Sequence, residues 1–152
     1  MQISRTLQLI SIQHELSMQI GLDLNLDKML DVFLQRTLQR LSLSGIRVLY
    51  QLPQKHLDNT QKSIAFPKQT EQSHAWLVDK ANLWFRQEQG KYSECEQQGC
   101  FYYLFVIPEF GVLVLERKHQ PIDAMILQAL SPLLSKLATS CKACLEHQNL
   151  LD

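Results

Sequence analysis

The stretch from Cys100 to Leu115 restricts what this chain can become more than any other part of it. Two apolar runs, Cys100–Ile107 and Phe110–Leu115, flank the short break Pro108-Glu109. β-Branched and aromatic runs around so short a break read as an antiparallel hairpin. Side chains alternate between the faces of a strand, so Phe101, Tyr103 and Phe105 point one way and Tyr102, Leu104 and Val106 the other. Both sets are apolar, so both faces of the hairpin must be shielded from water. The fold therefore needs a sheet with structure packed above and below it.

The rest of the chain offers the covering elements. Ile3 to about Ile20 reads as a helix, with Leu9, Leu16 and Ile20 at helical spacing and Ile3, Leu7 and Ile10 forming a second such set. Gly21 is its expected end. A second helix runs from Asn25, a suitable N-cap, to about Leu41. Its apolar stripe is Leu26, Met29, Leu30, Phe33, Leu34, Leu38 and Leu41; Asp31, Gln35, Arg36 and Arg40 lie opposite. After Ser44-Gly45 the period changes, and Ile46–Leu52 reads as a strand. Pro53–Thr60 is a polar loop and Ser63–Phe66 a short strand stopped by Pro67. Glu71 to about Gln89 reads as a middle helix carrying Trp76, Leu77, Leu83, Trp84 and Phe85, and Tyr92–Glu96 as an edge strand. A last helix begins near Pro121–Asp123 and continues to the chain end, with Pro132 inside it.

This order predicts an α+β fold: an α/β/α sandwich around an antiparallel sheet of about five strands. The N- and C-terminal helices share one face and the middle helix covers the other. In the last helix Leu127, Leu130, Leu134, Leu137, Cys141, Cys144, Gln148 and Leu151 recur in alternating steps of three and four, the pattern of a heptad seam. The expectation is one domain over 1–152, with 3–20 and 138–152 as helical extensions for pairing or linkage.

Composition narrows the function classes. At 152 residues and 45% hydrophobic content the chain can bury its own core and is not disordered. The 15 Lys+Arg balance 15 Asp+Glu, and no long run of like charge occurs, which argues against a dedicated nucleic-acid binder. No apolar stretch is long enough for a membrane span and no leader pattern opens the chain, so a cytoplasmic location is expected.

Three constellations hold chemistry worth weighing. Cys141-x-x-Cys144 with His147 on one helix, joined by Cys95 and Cys100, admits zinc or redox chemistry; both helix cysteines also sit on the apolar seam, where Cys packs as a small hydrophobe. The packing reading is preferred and no metal site is expected. Tyr50, Trp76, Trp84 and Tyr102 offer an aromatic lining for an apolar or planar ligand, set against plain core packing. His14 reads as a solvated or interface side chain. No glycine-rich phosphate loop, nucleophile–His–acid grouping or pair of carboxylates at catalytic spacing is present, so no enzyme is expected and no cofactor is required.

The element order resembles a GAF domain, a small sensory module of bacterial signalling proteins. The residues that carry the resemblance are His14-Glu15-Leu16 leading through Gly21–Leu30, then Phe110–Leu115, then Pro121-Ile122-Asp123 and its Leu/Ala-rich helix. The opening and the end Cys141–Leu145 are similar to GAF segments ahead of sensor histidine kinases. The cyclic-nucleotide signature of some members is absent. Gln98 stands two residues before Cys100, where bilin-attaching members carry Asp. The resemblance implies a non-catalytic sensor that binds a small molecule or a partner protein. It would form a homodimer through Leu7, Ile10, Leu137, Cys141, Cys144 and Leu151, and feed an output domain, a histidine kinase first and a diguanylate cyclase second. The alternatives are a GAF-like dimerising spacer that binds nothing and a divergent GAF-type redox enzyme using the cysteines.

Overall fold

In a computed structural model the chain forms α1 (Gln2–Met18), α2 (Leu26–Arg40), β1 (Gly45–Leu52), β2 (Thr60–Phe66), β3 (Ser93–Gln97), β4 (Cys100–Ile107), β5 (Gly111–Lys118) and α3 (Ala124–Leu151). The structure describes residues 2–52, 60–66, 80–81 and 92–151. The predicted middle helix lies outside them except for Lys80 and Ala81, which are helical. The predicted loop Pro53–Thr60 lies outside them too, apart from Thr60, which opens β2.

The five strands form one sheet in the order β2-β1-β5-β4-β3, every neighbouring pair antiparallel. The hairpin at its centre is the one anticipated, with one shift. Ile107 pairs with Gly111, so Phe110 belongs to the turn rather than the strand. Pro108 and Glu109 occupy the middle of that turn, closed by the Phe110 N–H donating to the Ile107 carbonyl at 2.9 Å. Proline suits the first central position and a positive φ is required at the second, where Glu109 has φ 60°. β3 and β4 are joined by Gln98-Gly99, both at positive φ, as the tight primed turns of hairpins demand.

One face of the sheet carries Ile46, Val48, Tyr50, Tyr103, Phe105, Ile107, Leu113 and Leu115, buried with residues of α1, α2 and α3. α2 presents Leu26, Met29, Leu30, Phe33 and Leu34 to β1 and β2. Its start is capped as expected, the Asn25 side chain accepting from the Lys28 N–H at 3.1 Å. α3 lies on β4, and α1 packs chiefly along α3. These two helices run in the same direction. Arg5 pairs with Asp123, Gln13 Nε2 donates to the Ala129 carbonyl at 2.9 Å, and Lys136 Nζ donates to the Ser17 carbonyl at 2.9 Å. Farther along, the Cys144 thiol points at the Asp23 carbonyl, 3.5 Å away.

The segments expected to be extensions are part of this packing. Ile12, Leu16 and Ile20 of the first, and Ala138, Cys141 and Cys144 of the second, are core residues. The turn into α3 is fixed from inside: the Ile122 N–H donates to the Tyr103 hydroxyl at 2.9 Å, a buried contact. Tyr103→Phe leaves that N–H without an acceptor, and should lower unfolding free energy by about 1–3 kcal/mol in urea titration.

The opposite face carries Leu49, Cys100, Tyr102, Leu104, Val112 and Val114, with Ala81 packed against them. The sheet is thus covered on both sides, as its doubly apolar strands require.

Candidate functional site

Two charged side chains are buried among the described residues, Arg47 at 5% exposure and Glu116 at 8%. Ile46 and Val48 flank Arg47 and belong to the helix-covered core, so strand alternation sends Arg47 to the opposite face. Glu116 follows Leu115 in the same way. In the register Glu116 stands between Gly45 on one side and Tyr102 on the other, and Arg47 is its diagonal neighbour through Val114. The second face is therefore apolar over most of its area, with a buried polar island at one end.

The island is organised around Glu116. The Cys100 thiol donates to Glu116 Oε1 at 3.3 Å, and Tyr102 is hydrogen-bonded to Cys100 in turn. A Cβ on Gly45 would lie 2.9 Å from Glu116 Oε2, so the missing side chain of Gly45 is what lets the carboxylate lie over β1. Arg47 is engaged by contacts of its own. Burial pushes the Cys100 thiol and the Tyr102 hydroxyl up, and for Cys100 it outweighs the Tyr102 hydrogen bond. Burial likewise raises Cys95, against the opposing charge of Lys80.

The aromatic pocket expected from the sequence does not form as one unit. Tyr50 lies on the helix-covered face, stacked on Phe110 at a centroid distance of 4.8 Å. Burial pushes its hydroxyl up to about 12. Tyr102 lies on the other face. The sheet separates the two, because their strands present opposite parities at these positions. Trp76 and Trp84 lie outside the described residues.

The expected dimer residues also divide. Leu7 and Ile10 are exposed, at 60% and 55%. Leu137, Cys141 and Cys144 are buried in the core within the chain, so they form no exposed seam. Leu151 lies in α3, but its side chain is outside those described. Leu127, Leu130, Leu134, Leu137, Cys141 and Cys144 of the heptad-spaced row are core residues of the chain itself. Among the described residues no group of three or more His, Cys, Asp or Glu could hold a metal ion, and the cysteines are free thiols. Cys141 is pushed by burial to about 12.

The thiolate is the reactive form, so native cysteines here should be sluggish. Cys95, half-buried, should alkylate before Cys100, Cys141 and Cys144, all buried, in a timed iodoacetamide reaction followed by peptide mass spectrometry. Modification of Cys141 first would contradict this packing.

Arg47 and Glu116 were not singled out by sequence reasoning. The signal was present: each is a charged residue inside an apolar strand, Arg47 between Ile46 and Val48 and Glu116 after Leu115. Seeing that they share a face requires the strand order. No protein-family model matches the chain, and no curated protein matches it.

Proposed function

We propose that the chain is a non-catalytic sensory domain of GAF type, which binds a small molecule on the second sheet face and transmits through its terminal helices. The observation that carries this reading is the buried polar island around Glu116 on an otherwise apolar face. Polar groups set in an apolar surface are the usual means of orienting a small ligand. The element order and the two-sided covering of the sheet agree with the family that the sequence resembles. α1 and α3 lie on the far side of the same sheet, so two arrangements of the strands would set two arrangements of the helix pair. Only a ligand that binds one arrangement better can shift that balance.

The remaining exposed stripe on α1, with Leu7 and Ile10, is the surface through which two copies would pair. The proposed setting is cytoplasmic, with a histidine kinase or a diguanylate cyclase as the output domain. None of the described helices is long and apolar enough to cross a membrane. A redox enzyme is the weaker reading, because desolvation raises the thiols.

Native mass spectrometry of freshly purified protein tests the ligand: a retained small molecule is expected, and repeated ligand-free spectra from several preparations would sink the idea. Sedimentation tests pairing. The wild type is expected to dimerise, and Leu7→Glu with Ile10→Glu to shift it to monomer; a wild type that stays monomeric at high concentration removes this interface.

A further inference from the structure

We propose that His14 makes the pairing of two copies through α1 pH-dependent: the pair holds with a neutral imidazole in its seam and opens when that ring is protonated. This rests on the reading of the exposed stripe of α1 as the pairing surface. Ile12 and Leu16 bury one side of α1 in the core of their own chain. On the opposite side Leu7, Ile10, His14 and Met18 follow in steps of three, four and four, all exposed, so they form one row down the helix. Leu7, Ile10 and Met18 are each more than half exposed. The row spans roughly 16 Å at 1.5 Å per residue. Apolar side chains aligned in this way mark a contact site, unlike single exposed residues scattered over a surface.

The charge pattern selects a second copy as the occupant. A two-fold pair lays one surface against itself, so any formal charge in it meets its like. α1 has two formally charged side chains, and both are tied back into their own chain: Arg5 pairs with Asp123 of α3, and Glu15 accepts from Arg40 of α2 at 2.8 Å. Ser4, Thr6 and Ser11 beside the row are uncharged. A partner of different sequence is ordinarily selected by complementary charge, and the row offers none.

His14 is the one titratable group in the row. The other charges that the packed helices bring to α1 are Lys136 of α3, bound to the Ser17 carbonyl and hydroxyl at 2.9 Å each, and Arg36, one turn before Arg40 on α2. The two acids, Glu15 and Asp123, are already taken by arginines. Pairing encloses His14 among the apolar side chains of both copies. A neutral ring is tolerated there, whereas an imidazolium loses hydration without a counter-charge and repels the ring of the other copy. Histidine makes that change between pH 8 and pH 5. Pairing therefore favours the deprotonated ring, so the pair is present at the alkaline end and is lost as pH falls.

Sedimentation equilibrium of the full chain at about pH 8 and about pH 5.5, at equal ionic strength, reads this directly. The dissociation constant is expected to rise at least tenfold at the lower pH. His14→Leu keeps the row apolar and removes the titration, and should pair at both pH values with less than a threefold difference. His14→Lys carries a fixed charge and should stay monomeric at both. Circular dichroism follows folding in each sample; should the wild type unfold at the lower pH, the contrast between the two variants at pH 8 decides. A wild type that pairs equally at both pH values, a His14→Leu that keeps the pH dependence, or a His14→Lys that pairs like the wild type overturns the proposal and leaves the pairing surface standing. A wild type that does not pair at pH 8 overturns both.

Discussion

Leu137→Ala is expected to lower the unfolding free energy by about 2–5 kcal/mol. Leu137 is fully buried among the sheet and helix residues of one chain. Truncation there removes the hydrophobic transfer energy of the side chain and leaves a cavity that neighbours on a rigid sheet fill only partly. The lost contacts lie within the chain, so the shift in urea midpoint should be the same at low and high protein concentration. Leu7→Ala gives the contrast. Leu7 is mostly exposed, so its truncation should move the stability of the single chain by no more than about 0.5 kcal/mol. Any effect of it should instead appear in self-association. If Leu137→Ala dissociated a dimer with little loss of stability, the assignment of this row to the core would be wrong.

Gly111→Ala should be worse still. Gly111 sits at the first position of β5, paired with Tyr50 on one side and Ile107 on the other. A Cβ there would lie 2.2 Å from the Leu49 carbonyl oxygen and 2.9 and 3.0 Å from Tyr50 Cβ and Cα. These atoms belong to, or are fixed by, the central ladder, and cannot rotate away. Relief requires the β1–β5 pairing to open and the Tyr50–Phe110 stack to shift with it. A loss of about 3 kcal/mol or more, or failure to fold, is expected from overpacking of this severity. Gly99→Ala is the control. It carries the strain of φ 76° but meets no atom within 4 Å, so its cost should stay near 1–2 kcal/mol. Thermal melts of both variants rank them; equal melting points would refute the close-approach argument.

Local signals were legible in the sequence, and partnerships were not. β4 was predicted over Cys100–Ile107 and is found there, because alternation and residue type act within the strand itself. The start of α2 was legible in the same way, since the Asn25 cap acts over three residues. The row on α3 shows the limit. Alternating steps of three and four describe a helix facing a coiled-coil partner and a helix facing a sheet equally well. What stands opposite Leu137 and Cys141 depends on residues far away in the chain. The same holds for Tyr50 and Tyr102, whose faces follow from how β1, β5 and β4 align. Arg47 and Glu116 gain meaning only when β1 and β5, far apart in sequence, are set side by side.

The parallel course of α1 and α3 has a mechanical consequence. The first turn of α1 is level with the start of α3, through Arg5 and Asp123, and α3 then continues for 28 residues. The chain therefore enters and leaves at opposite ends of the pair, separated by roughly 40 Å at 1.5 Å per helical residue. A tension applied between those two points loads the helix contact in shear. The ties at Asp123, Ala129 and Lys136 would have to slip together. An antiparallel pair would peel them apart one at a time. This arrangement suits a stiff in-line coupling, in which displacement at one end is delivered to the other with little stretch between.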